Sequence, residues 1–210
     1  MDARQEERAN PFGMDETCRN CPALCESRSQ VVHGYGDVAG DFVFVGEWPG
    51  EGADRTGVPF TGDEAGELVQ GILADLGLSE SAPESEEPAV DNVFLTYAAR
   101  CHHPERSPTD EEITNCEPYL NGELRMINPE IIVPVGQRPL SELALEYTTR
   151  KPEELDVTEL HATTIRGRGF EIVPMRPPAE QSPEDTEAFL EHMSELMGRD
   201  YRQTKGRRER

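Results

Sequence analysis

The 210 residues carry 42 acidic against 20 basic side chains, a formal net charge of −22, and lysine occurs only at Lys151 and Lys205. A chain of this length buries a sizeable core as one domain, and it has neither an apolar run of membrane-spanning length nor an apolar signal core within residues 1–17. A cytoplasmic protein is therefore expected, whose five cysteines favour metal ligands or free thiols over a disulfide framework, and the acidic, lysine-poor surface points to a halophilic one, in which molar salt screens the self-repulsion.

In chain order, residues 1–13 read as a flexible, polar terminus, residues 14–198 as the folded domain, and residues 199–210 as a basic tail. A short helix or turn is expected over residues 14–29, which contain Cys18, Cys21 and Cys25. Residues 41–45 (DFVFV) are an apolar run rich in β-branched and aromatic residues, so they read as a buried strand that empties at Gly46 into a long glycine-rich loop. Ligands of open α/β sheets sit beyond the carboxyl ends of the strands, so this loop is the first candidate site. Apolar residues at Leu68, Val69, Ile72, Leu73 and Leu76 have helical spacing over residues 63–76, with Gly77 as the stop. Residues 79–90 are acidic, rich in Ser and Pro and without period, and read as a loop or disordered insertion.

A second strand is expected over residues 93–99, followed by a loop through Arg100, Cys101, His102 and His103. Thr109 and Glu112 form a capping box that opens a helix through Cys116, Leu120 and Ile127. Residues 129–136 give the third strand and residues 137–147 its helix, and this alternation argues for a parallel sheet. After a charged connection over residues 148–160, residues 163–166 and 170–175 flank a hairpin-like turn at Gly167 to Gly169, the second arm supplying the last strand. Residues 184–197 close the domain with an amphipathic helix.

The cysteines carry the strongest local signal. Cys18 and Cys21 form a C-x2-C pair, Cys101 lies just past a strand, and Cys116 lies on the helix which that strand feeds. Four thiolates converging in this way suit either zinc or an iron-sulfur cluster, and spacing alone does not choose between them. Cys25 is left over as an alternative ligand, and His102 and His103 are as well explained as surface histidines.

Cys18-x2-Cys21-Pro22, the stretch VGEWPGEGADRTGVPFTGDEAG, Arg100-Cys101 with Cys116-Glu117-Pro118-Tyr119-Leu120, PEIIVPVG and Ile165-Arg166-Gly167 together resemble the uracil-DNA glycosylase superfamily, in particular its iron-sulfur branch of families 4 and 5. The resemblance implies an α/β fold, a three-layer α/β/α sandwich with a four-stranded parallel sheet, and a 4Fe-4S cluster held by Cys18, Cys21, Cys101 and Cys116, with zinc as runner-up. It implies that Phe60 stacks on a base flipped out of DNA. It also implies that Glu47 lies beside the glycosidic bond, where a carboxylate orients water or stabilises a cationic sugar.

Three positions depart from the family pattern. Tyr97 stands where the family has the Asn that reads the uracil edge, Pro177-Pro178 falls on the His-Pro motif, and Trp48 replaces a small residue and offers a further base contact. Arg176 and His161 are the cations placed to substitute for the missing histidine. Arg55, Arg100, Arg166 and Arg168 are the expected contacts to DNA phosphates, by their place in or beside loops expected at the sheet's carboxyl edge. The implied function is excision of uracil or another deaminated base from DNA, with no membrane and no obligate protein partner. The alternatives are an attenuated iron-sulfur paralogue that binds DNA or acts as a scaffold, and a zinc-stabilised nucleotide-binding module.

Overall fold

The computed structural model describes residues 7–199 and Tyr201. Residues 1–6 and most of the expected basic tail, residues 200 and 202–210, lie outside the described residues. The elements run α1 (Pro22–Ser27), β1 (Tyr35–Gly36), β2 (Phe42–Gly46), α2 (Glu51–Thr56), α3 (Glu64–Asp75), β3 (Val93–Tyr97), α4 (Asp110–Ile127), β4 (Ile131–Pro134), α5 (Gln137–Tyr147), α6 (Val157–Leu160), β5 (Ile165–Arg166), β6 (Glu171–Ile172) and α7 (Pro183–Met197).

The strands form one six-stranded sheet in the order β1-β3-β2-β4-β6-β5. Its four central strands are parallel, as expected, while the two-residue strands β1 and β5 add antiparallel edges. Every residue of β2, β3 and β4 is buried, which is what a parallel sheet covered on both faces requires. Alternation along β2 assigns the faces. Phe42 and Phe44 point into a core with Val69, Ile72 and Leu73 of α3 and Phe189, Met193 and Leu196 of α7. Val43 and Val45 point the other way, against Leu120, Leu124 and Ile127 of α4 and Leu140, Leu143 and Ala144 of α5. The result is the expected α/β/α sandwich. Burying each such side chain contributes about 1.5–3 kcal/mol, so the double-sided core is what holds the carboxyl edge rigid.

Local signals explain the element ends. Asp63 caps α3 by accepting from Gly66 N, and the Thr109–Glu112 capping box of α4 is made in both directions. A second capping box, Ser182 with Asp185, opens α7.

Several connections differ from expectation. Residues 7–13 are tied to the fold at two points: Ala9 bridges Tyr35, and Phe12 is buried against Phe94. The glycine-rich loop contains α2, which starts from Gly50 and ends at Gly57 in the left-handed region. The 79–90 insertion is a pinned loop, tied by a Ser79–Val90 bridge and by Tyr35 Oη donating to the Pro88 carbonyl at 2.9 Å. Among the described residues no helix is long and apolar enough to cross a membrane.

Candidate functional site

The parallel register brings the exits of β2, β3, β4 and β6 to one edge. Gly46 is level with Tyr97, Val45 with Pro134, and Val135 with Met175. The pairing continues past β3, with Ala98 N and Ala99 N donating to the Gly46 and Glu47 carbonyls at 2.8 Å. The backbone of residues 46–47 is thereby fixed before any side chain is considered. Glu47 is half-buried there; burial raises its carboxyl pKa above the ordinary value, and the nearby Arg138 acts against that rise. Arg138 is held from two sides, by Glu142 at 2.7 Å and by Asp110 at 2.8 Å.

Phe60 and Tyr97 fill the space over Gly46. Their ring centroids are 4.9 Å apart, and a Cβ on residue 46 would lie 2.6 Å from Tyr97 and 2.9 Å from Phe60, so only glycine fits. Phe60 has φ +57°, the left-handed region, which costs a non-glycine residue about 1–3 kcal/mol. Two buried side chains hold it in that conformation: Phe60 N donates to Tyr97 Oη at 2.9 Å, and Gln70 Nε2 donates to the Phe60 carbonyl at 3.1 Å. Burial keeps the Tyr97 phenol protonated far above its usual range. Gln70 Oε1 is buried with no partner among the described residues. Both rings are covered, 6% exposed for Phe60 and 4% for Tyr97, so stacking a base on Phe60 requires the two rings to part.

Trp48 is not with them. Half-buried, it packs instead on the cluster of Ala98, Ala99, Ile113 and Cys116, toward the cysteines. His161 is also committed elsewhere: its Nδ1 accepts from Arg176 N at 3.1 Å, its Nε2 faces the Asp185 carbonyl at 2.8 Å, and its ring stacks on Phe189. Arg176 bonds Asp185 at 3.2 Å and stands at the carboxyl edge, just past the Val135–Met175 bridge.

The cysteines gather beside this edge from α1, the β3 exit and the first turns of α4. All five are free thiols, with Cys21, Cys101 and Cys116 buried and Cys18 and Cys25 half-buried. Cys18, Cys21 and Cys101 share one small core with Leu24 and Val31. Cys116 is close enough to feel Cys21 and Cys18 electrostatically, and Cys101 feels Cys116 and Cys18. Burial raises the thiols of Cys21 and Cys116 and pushes Cys101 up to about 11, which favours the neutral form of all three. Among the described residues no group of three or more His, Cys, Asp or Glu side chains is arranged to hold a single metal ion. Polar groups already point at the sulfurs: Arg28 Nη1 donates to Cys101 Sγ at 2.9 Å, and Asn115 Nδ2 to Cys21 Sγ at 3.5 Å. A set of four thiols drawn from three elements, unpaired with one another and met by hydrogen-bond donors, fits a thiolate-bound metal group in its donor chemistry.

The cysteine site and the Glu47 loop touch. His102 Nδ1 lies 2.8 Å from the Pro49 carbonyl, while Ser27 Oγ donates to the His102 carbonyl at 2.8 Å. Sequence reasoning gave His102 no role, and it left Arg28, Gln70 and Glu123 aside. Only Gln70 had a signal, as a polar residue inside the apolar stripe of α3.

The arginines divide. Arg55 is exposed on the loop and reaches Glu86 at 2.5 Å, an exposed pair that leaves it accessible. Arg100 is corrected outright: it is 1% exposed, and its guanidinium is spent on Glu123, with contacts of 3.0 and 2.6 Å. It cannot reach a phosphate. Arg166 and Arg168 are exposed but stand at the wrong edge. Arg166 pairs with Glu171, which pairs with Ile131 at the start of β4, so the turn is at the amino end of the parallel strands. Arg168 lines a hollow of about 330 Å³ there with Leu124, Asn128, Pro129 and Tyr147.

Comparison with known proteins agrees with this geometry. The family model described as uracil DNA glycosylase superfamily matches residues 33–197. The type-4 uracil-DNA glycosylase of Archaeoglobus fulgidus is 31% identical over 193 residues, covering 87% of this chain and 89% of that protein. The type-4 enzyme of Sulfurisphaera tokodaii is 38% identical over 122 residues, which is 58% of this chain and 50% of that protein, so there the match spans half the relative's length. The type-5 uracil-DNA glycosylase of Thermus thermophilus is 35% identical over 156 residues, 64% of this chain and 70% of that protein.

Proposed function

The chain belongs to the uracil DNA glycosylase superfamily, and from that membership we propose that it hydrolyses the N-glycosidic bond of uracil or another deaminated base in DNA. The observation that carries the proposal is Glu47, a half-buried carboxylate fixed at the carboxyl end of β2 on the same loop as a backbone-strained Phe60. A glycosylase must take the base out of the stack and read it in a pocket. Glu47 would orient the attacking water or stabilise positive charge on the sugar as the bond breaks. Phe60 would stack on the base once Tyr97 swings away, and the strain at Phe60 supplies a reason for that segment to rearrange. Arg55, at the mouth of the same loop, would contact phosphate, and Arg138 would hold the Glu47 charge.

Cys18, Cys21, Cys101 and Cys116 are the proposed ligands of a 4Fe-4S cluster, with zinc as runner-up and Cys25 as the spare thiol. Such a cluster, when bound, cross-links α1, the β3 exit and α4 and so braces the wall behind Glu47. Iron, sulfide and zinc content of anaerobically purified protein distinguishes the two metals, and Cys101→Ala should abolish the visible absorbance of an iron-sulfur centre.

The acidic, lysine-poor surface sets the assay conditions. Single-turnover reactions in molar KCl, on uracil-, hypoxanthine- and xanthine-containing single- and double-stranded DNA, are expected to yield abasic product on at least one substrate. Glu47→Gln should slow that reaction by about 10²- to 10⁴-fold. Phe60→Ala should weaken capture of the base. DNA binding without abasic product on any substrate would overturn the catalytic reading in favour of the attenuated paralogue.

A further inference from the structure

Arg28 follows α1 directly as its C-cap residue, and its half-buried side chain reaches the cysteine site. Nη1 donates to Cys101 Sγ at 2.9 Å, and Nη2 donates to the Cys18 carbonyl, so one side chain joins two cysteines that lie 73 and 10 residues away from it in sequence. We propose that Arg28 is a positioning residue of the cysteine site, holding Cys101 against the Cys18 segment and setting the reduction potential of the iron-sulfur cluster proposed above.

The charges around the site leave this role to Arg28. The guanidinium of Arg100 is taken by Glu123, and that of Arg106 by Glu112 at 2.7 Å. Asn115, which donates to Cys21 Sγ, is neutral. Glu112 lies within electrostatic reach of Cys21 and Asp15 within reach of Arg28, and both add negative field to a chain of net charge −22. Arg28 forms no carboxylate ion pair among the described residues. Its charge is therefore directed at sulfur.

A donor and a positive charge on a ligand sulfur stabilise the more negative, reduced form of a cluster more than the oxidised form, and so raise its potential. They also tighten the hold on the metal, because partners of metal ligands are worth about 10- to 100-fold in affinity. Arginine suits the position better than lysine because its planar fork bonds a sulfur and a carbonyl at once.

The test uses the purified holoprotein with dithionite titration monitored by electron paramagnetic resonance, together with iron loss to a chelator. Arg28→Met should lower the midpoint potential and lose iron about 10- to 100-fold more readily. Arg28→Lys, which keeps the charge and one donor, should fall between Arg28→Met and the native protein. Iron-loaded Arg28→Met with the native potential would overturn the assignment, whatever its stability. If Arg28→Met retains no iron, an unshifted potential in Arg28→Lys overturns it equally. A native protein that holds zinc without iron would instead overturn the cluster reading on which the assignment rests.

Discussion

The loop after β2 and the cysteine site after β3 leave the sheet from neighbouring strands but are completed differently. The loop satisfies itself: Phe60 N and O are met by Tyr97 and Gln70, the Glu47 carbonyl is met by Ala99, and the two rings close over Gly46. The cysteine site does not. Cys21, Cys101 and Cys116 are buried, burial raises their thiols, and the donors aimed at Cys101 and Cys21 meet sulfurs for which the neutral form is favoured. On the proposed function the loop must rearrange before Phe60 can stack on a base, whereas the proposed cluster ligands already lie beside one another.

Arg100 supports the cysteine side from beneath, and removing it is the strongest way to break the comparison. The Arg100–Glu123 pair is 1% exposed on both sides, and Glu123 also accepts from Thr96 Oγ1 and Gly34 N. The Arg100 carbonyl accepts from Val32 N, and its backbone N–H favours the Cys116 thiolate. Arg100→Met leaves Glu123 buried without its countercharge, a loss expected to cost about 3–5 kcal/mol. Urea unfolding in molar KCl measures it. Unchanged stability combined with weakened DNA binding would restore Arg100 to the phosphate contacts from which the structure removes it.

Arg138 tests the loop side alone. Burial raises the Glu47 carboxyl and Arg138 lowers it, so Arg138→Met should raise it further. In the proposed reaction the carboxylate is the working form, and it is populated above its pKa. The acid limb of the single-turnover rate should therefore move to higher pH while the alkaline plateau stays in place. A lowered plateau with an unmoved limb would mean that Arg138 acts by bridging α4 and α5 through Asp110 and Glu142 rather than by its charge.

Much of this architecture could be read from the chain because it is local. Period and capping fix α3, α4, α5 and α7 within a residue or two, and the apolar runs fix the parallel strands. The cysteine positions were legible from spacing and resemblance for the same reason. What escaped depends on pairings across the fold. The partner of Arg100 lies 23 residues away on α4, with nothing local to announce it. Trp48 sits between Glu47 and Pro49 in sequence, yet a one-residue step at the strand exit turns it to the α4 side. The α2 helix was hidden by glycines at positions 50, 52 and 57, although two of them are its caps.

The smallest predicted effect follows from an error that reasoning on the sequence could have avoided. A strand parallel to β4 must begin at the amino edge, so the turn that feeds β6 lies there, together with Arg166 and Arg168. Arg55 follows β2 on its carboxyl side and remains exposed beside Glu86. A lost phosphate contact reduces the slope of log affinity against log salt by about one. Arg55→Ala should do so across a KCl series with damaged duplex DNA, while the double substitution Arg166→Ala and Arg168→Ala should leave slope and affinity within about twofold of native, as for arginines that touch no phosphate. The reverse pattern would mean that DNA lies across the amino edge. Glu47 would then be on the wrong side of the sheet to reach a base, and the carboxyl-edge site would lose its substrate.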